Sequence, residues 1–75
     1  MKLFTINASL DKTHLFEKEF KAYGTSRAEE KRRAFDLALD YAYFVLRSAP
    51  YVMNDKMANL TLENVEFDVV DVTSK

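Results

Sequence analysis

The sequence predicts a small α+β domain, in which a three-stranded antiparallel sheet of order 2-1-3 packs on one long helix in the order strand, strand, helix, strand. Three observations carry this. Residues 2–10 alternate, with Phe4, Ile6, Ala8 and Leu10 on one face and Leu3, Thr5, Asn7 and Ser9 on the other; a period of two marks a half-buried strand. Residues 26–48 have a helix start signal and contain no Gly or Pro. Val65, Phe67 and Val69 alternate with Glu66 and Asp68, which gives a second period-two run near the end of the chain.

Each element follows from its residues. Asp11-Lys12-Thr13 reads as a turn after the first strand. Residues 14–24 admit two readings. As a helix, Phe16, Phe20 and Tyr23 share a face and Gly24 caps its end. As a strand, Phe16, Lys18, Phe20 and Ala22 face one way, and Glu17, Glu19 and Lys21 the other. The strand is preferred, because the first strand needs a partner and a short loop makes a hairpin of the two. Lys18 then points inward near an edge, where a charge blocks edge-to-edge aggregation.

Ser26-Arg27-Ala28-Glu29 matches a capping box, with Ser26 as N-cap and Glu29 reaching back to it. Glu29–Arg33 and Arg32–Asp36 are opposite charges at i,i+4. Pro50 ends the helix. Residues 50–59 read as irregular, with Asn54-Asp55 a turn or the start of a short helical turn. Residues 60–73 read as the last strand. Val70 and Val72 carry the opposite parity to Val65, Phe67 and Val69, so a bulge is expected near Val69-Val70 and a kink at Glu63-Asn64. Thr73-Ser74-Lys75 should fray.

The chain of 75 residues makes one domain, residues 1–75. Such a domain buries only about 60% of its unfolded surface, so its stability margin is small. A hydrophobic content of 48% supplies one core and excludes a disordered tail. Eleven basic residues against 12 acidic ones, a net charge of -1, argue against a protein built to coat nucleic acid or an anionic membrane. With no Cys and a single His, the chain offers neither a disulfide scaffold nor a thiolate metal site. His14, beside the turn, reads as a solvated side chain. No Gly-rich loop or nucleophile elbow is present. The expectation is a non-enzymatic protein with no cofactor and no metal. No apolar run approaches the roughly 20 residues of a membrane span, and the first residues alternate where a signal peptide has an apolar core. The expected setting is the cytoplasm.

The helix speaks most directly about partners. On a wheel of about 100° per residue, Phe35, Ala38, Leu39, Ala42, Val45, Leu46 and Ala49 form a core stripe. Ala34, Leu37, Tyr41 and Phe44 form a second stripe about 120° away. A helix on a small sheet needs only one apolar stripe. The second must be covered, either by Pro50, Tyr51, Val52, Met53 and Met57 folding back or by another protein, a host protein or a second copy in a homodimer. Leu37, Tyr41 and Phe44 are therefore candidate binding residues.

Two charged clusters are candidates as well. Glu17 and Glu19 on the second strand and Glu66 and Asp68 on the third could project together from the outer sheet face. An acidic patch of this kind docks on the basic surface of a nucleic-acid-handling protein. Arg27, Lys31, Arg32 and Arg33, with Lys21, form the basic alternative, a small nucleic-acid-binding module. It is the weaker reading, because Glu29, Glu30 and Asp36 interleave with the cluster.

The run Phe16-Glu17-Lys18-Glu19-Phe20-Lys21-Ala22, a polar turn, a capped helix rich in Ala and Glu and a Val-rich last strand resemble small bacteriophage early proteins such as the T7-type inhibitor of bacterial RNA polymerase. The resemblance is one of layout. This chain lacks the proline expected in the second strand of that inhibitor and has a longer helix, so no binding residue carries over. The resemblance implies a phage-type protein that works in the host cytoplasm by inhibiting or modulating a host protein complex, in transcription or in antiviral defence.

Overall fold

The expected order of elements is present, with one addition. The computed structural model of the chain describes residues 2–72. In it β1 (Lys2–Leu10), β2 (Thr13–Ala22), α1 (Arg27–Arg47), α2 (Asp55–Leu62) and β3 (Val65–Asp71) follow one another. The strands form one antiparallel sheet in the order β2-β1-β3, with α1 across one face. Residues 14–22 are thus strand, as the hairpin argument requires.

A two-residue loop joins β1 to β2, since Leu10 pairs with Thr13. Asp11 and Lys12 have φ of 50° and 68°. Positive φ at both positions is the type I′ pattern, whose twist matches that of the flanking strands. The register shifts between Ala8 and Ser9, so that Leu15 is the extra residue of a bulge and turns toward the core. The bulge expected at Val69-Val70 is absent. The β1–β3 register runs without a break from Leu10↔Val65 to Phe4↔Asp71. Val65, Phe67 and Val69 share the inner face with Phe4, Ile6 and Ala8, and Val70 is an exposed valine of the outer face.

The second correction is α2. Residues 55–62 are helical, so Asn54-Asp55 starts a helix, the second of its two readings, and the strand expected from residue 60 begins at Val65. The Asn54 side chain accepts a hydrogen bond from the Met57 amide at 2.8 Å and caps the helix. Leu60 and Leu62 therefore belong to α2, and Glu63-Asn64 is the turn into β3. Thr73-Ser74-Lys75 lie outside the described residues.

At the start of α1 the Ser26 hydroxyl accepts from the Glu29 amide at 3.1 Å, as expected. The Glu29 carboxylate reaches one residue further back than expected, to the Thr25 amide at 2.7 Å. A Cβ on Gly24 would lie 2.8 Å from that carboxylate, so a larger residue there would displace the Glu29 side chain. At the other end Ser48 Oγ donates to the Phe44 carbonyl, the Ser48 amide to Val45 and the Met53 amide to Leu46. These bonds satisfy carbonyls that a helix end leaves open.

The core is a sheet of large side chains under a helix of small ones. Phe4, Ile6, Phe16 and Phe20 face Ala34, Ala38 and Ala42, all buried. Ala34, assigned above to the second stripe, belongs to this ridge, because positions four apart stack along one helix face. Ala49, expected in the core stripe, is exposed, since it lies past the end of α1.

Two predictions follow from this packing. Ala38 has no exposed surface, so Ala38→Leu should cost about 1–3 kcal/mol by overpacking, read from urea unfolding. Replacing Asp11-Lys12 by Asn-Gly should stabilise the fold by about 0.5–1 kcal/mol by relieving the left-handed lysine, seen as a rise in Tm of a few degrees.

A third prediction concerns pH. The Thr25 amide bond and then the Arg33 guanidinium hold Glu29 below its ordinary pKa of 4.5. A lowered folded pKa contributes stability that is present above the unfolded value and is lost as pH falls through the folded one. Glu29→Gln should therefore be less stable than the native chain at neutral pH. The two thermal curves should converge in acid, below the folded pKa of Glu29.

Candidate protein-binding surfaces

The two flanks of α1 differ. On one, Phe35 packs edge-to-face on Phe67 of β3 at 5.1 Å between ring centroids. On the same side the Tyr43 hydroxyl donates to the Asp55 carboxylate at the start of α2, and Arg47 stacks over the Tyr43 ring and bonds its hydroxyl. α2 thus closes this flank. The other flank carries Leu37, Tyr41 and Phe44 at i, i+4 and i+7, with relative exposures of 44%, 37% and 66%. Residues 50–58 do not cover it. The expected intramolecular cover is overturned because Tyr43 and the Leu46 carbonyl draw that segment to the opposite side.

Tyr41 is the inner member of the open flank. Its ring meets Phe16 at 4.8 Å and Phe20 at 6.1 Å, both edge-to-face. Lys18, opposite Ile6 on the inner sheet face, sets its ammonium 5.3 Å from the Tyr41 ring centroid. The inward lysine at the edge is thus balanced by an aromatic face. Phe44, further out, has ring contact only with Tyr43 at 6.1 Å among the contacts described.

The flank continues into a groove of about 360 Å³, lined by Lys21 of β2, by Tyr23 just past its end and by Arg33, Asp36, Leu37 and Asp40 of α1. Arg33 Nη1 donates to the Tyr23 carbonyl at 2.7 Å, which ties the end of β2 to the helix. Tyr23 is 62% exposed. Its role was not legible in the sequence, because it lies just past the strand alternation that would have placed it.

On the outer sheet face Asn7 stands between Glu17 and Asp68, its partners on β2 and β3. Two strand spacings, about 10 Å, separate the two carboxylate residues. Thr5 pairs with Glu19, and Ser9 with Glu66. The four acidic candidates share one exposed face; Glu17, Glu66 and Asp68 gather toward the hairpin end, Glu19 stands level with Val70 across Thr5, and Leu3 and Lys21 occupy the other end.

Two of the basic candidates are paired with carboxylates. Arg27 lies 3.8 Å from Asp71 and Arg33 lies 3.8 Å from Glu29, which leaves Lys31 and Arg32 exposed between them. His14 is exposed on β2. Among the described residues no group of three or more His, Asp or Glu is placed to hold a metal ion, and no helix is long and apolar enough to cross a membrane. A third exposed apolar group, Met57 and Leu60 on α2 with Val52 before it, went unforeseen because α2 itself was read as irregular chain and strand.

No family model matches the chain, and neither a curated protein nor a solved structure matches it.

The open flank makes a stability prediction. At concentrations where the chain is monomeric, Phe44→Ala should change unfolding free energy by no more than about 0.5 kcal/mol. Tyr41→Ala should cost about 1–3 kcal/mol, because two edge-to-face ring contacts go with it. Urea unfolding of both variants is the check. A Phe44→Ala loss of about 3 kcal/mol or more, the size of a core truncation, would mean that the side chain is covered.

Proposed function

We propose that this chain is a non-enzymatic protein-binding domain of phage type, which inhibits or modulates a host protein complex in transcription or antiviral defence and acts in the host cytoplasm. The observation that carries the reading is the open flank of α1. Three large apolar side chains stand in a row on a domain whose core is already filled by the other face of the helix. Tyr and Phe in such a row are the residue types that dominate protein interfaces. The acidic outer face supports the choice of partner. Glu17, Glu66 and Asp68 around Asn7 and Ser9 suit a basic surface of the kind that nucleic-acid-handling proteins carry, and long-range attraction would speed encounter. The layout resemblance to small phage early proteins points the same way. The scarcity of catalytic groups, with one His and no Cys, supports a role in binding.

The test is affinity capture from a bacterial lysate with the tagged native chain and with Glu17→Lys/Asp68→Lys. The native chain should retain a host protein in stoichiometric amount and slow host growth when expressed. The double variant, whose substitutions are on an exposed face, should fold normally and lose at least about tenfold in affinity for that protein, which is the effect of about 1.4 kcal/mol. Recovery of no stoichiometric host protein, together with unimpaired growth, would sink the reading.

A further inference from the structure

The free edge of β2 lies beside the open flank of α1, and its residues are self-complementary. We infer that a second copy of this chain occupies this edge and flank, pairing β2 with β2 of the partner across a two-fold axis at Phe20 to make a six-stranded antiparallel sheet. The inference rests on the reading of the flank as a protein interface and names its occupant, which leaves the acidic face around Asn7 for the foreign partner.

Charge selects the register. β2 is an edge strand in the order β2-β1-β3, and antiparallel pairing about a two-fold sets residues of like face opposite each other. An axis at Glu17, Glu19 or Lys21 sets that residue against its own copy. An axis at Lys18 sets Lys18 against itself and each Glu17 against a Glu19. Like charges directly opposite are destabilising. Axes at Phe16, Phe20 and Ala22 avoid all of these, and of the three only the axis at Phe20 sets opposite charges of β2 against each other. On the outer face it sets Glu19 opposite Lys21 of the partner, twice by symmetry. On the inner face it sets the two Phe20 rings together and gives each Lys18 the small Ala22 of the partner. Lys18, already held against the Tyr41 ring, thus disfavours an axis on itself and tolerates this one.

The helix geometry agrees. α1 sits chiefly over β2 and β1 and less over β3, so it stands toward the edge in question. With strands about 4.8 Å apart, a helix above the space between β2 and β1 is about 5 Å from the axis, and two such helices are about 10 Å apart. Helices pack at about 8–10 Å. Tyr41 meets Phe16 at 4.8 Å and Phe20 at 6.1 Å, so it lies on the Phe16 side of the axis, while Leu37, which lines the groove with Lys21 and Tyr23, lies on the other side. A stable dimer takes about 600–1,000 Å² from each partner, so a short strand edge needs the apolar flank beside it. The strand supplies main-chain hydrogen bonds, and Leu37, Tyr41 and Phe44 supply apolar area.

Charge exchange tests the register. Glu19 and Lys21 are exposed and face the uncharged Thr5 and Leu3 across β1, so substitution should leave the monomer fold intact, as thermal melts will show. By sedimentation equilibrium the native chain should be a reversible dimer. Glu19→Lys alone and Lys21→Glu alone should each weaken it about tenfold or more, since each creates two like-charge pairs. Glu19→Lys with Lys21→Glu should restore the native dissociation constant, and Phe44→Asp should weaken the dimer independently. A native chain that sediments as a monomer across the micromolar range overturns the inference. So does a dimer that is indifferent to the single changes, is not rescued by the exchange, or is indifferent to Phe44→Asp. Each of these results leaves the capture of a host protein by the acidic face to be decided by Glu17→Lys/Asp68→Lys, so the two readings fail separately.

Discussion

The distance between α1 and the sheet is set by alanine. Ala34, Ala38 and Ala42 have no exposed surface and form the ridge that touches the strands. Side chains this small let the helix approach closely, and Phe4, Ile6, Phe16 and Phe20 fill the interface from the sheet side. The arrangement is economical for a chain this short, because a helix with leucine at those positions would stand further off and need more strands beneath it. Its consequence is that the larger apolar side chains of α1 are moved to the two flanks. Phe35, Leu39 and Tyr43 go one way; Leu37, Tyr41 and Phe44 go the other, about 60–120° from the centre of the ridge on an ideal wheel.

One connection decides which flank stays open. The chain leaving α1 returns its Met53 amide to the Leu46 carbonyl, and Val52 takes a φ of 49° to allow it. Positive φ is costly for a β-branched residue, and here it accompanies a turn that satisfies the helix end and directs α2 toward Tyr43. The Tyr43–Asp55 hydrogen bond and the Phe35–Phe67 ring contact then close that side. Among the described residues, the strands lie on the sheet side of α1 and α2 takes the Tyr43 side, so none of these elements lies over Leu37 and Phe44. The open flank is therefore a consequence of connectivity as much as of composition.

The sheet order and the α1 limits were legible because each rests on a local pattern that the packing reinforces. Alternation at Phe4, Ile6 and Ala8 survives in the structure, and Ser26 caps the helix as its sequence context requires. α2 was hard to read because its signals conflict. Asn54 is a good N-cap, but Thr61 and the Leu60/Leu62 spacing resemble a strand, and a helix of 8 residues has little intrinsic stability to announce itself. The parity change at Val69-Val70 needs no bulge, because not every valine faces inward. Val70 faces out, and Asp71 takes the inner position opposite Phe4. The stripe at Leu37, Tyr41 and Phe44 was legible from periodicity, but its cover was not, because which flank α2 takes depends on a turn that periodicity does not encode.

Lys18 links the stability of the monomer to the behaviour of its edge. A strand of 10 residues at the side of a sheet presents an open row of backbone groups. A lysine among its inward positions disfavours burial of that edge in an unselected pairing, since the ammonium would lose water without a partner. The Tyr41 ring gives the ammonium a favourable contact while leaving it at the surface. Tyr41 in turn depends on Phe16 and Phe20 for its position. The same four side chains thus complete the core, hold the helix over the edge strand and restrict what can pair with that strand. In a domain with so small a core, specificity at the edge is obtained from residues that the fold already requires.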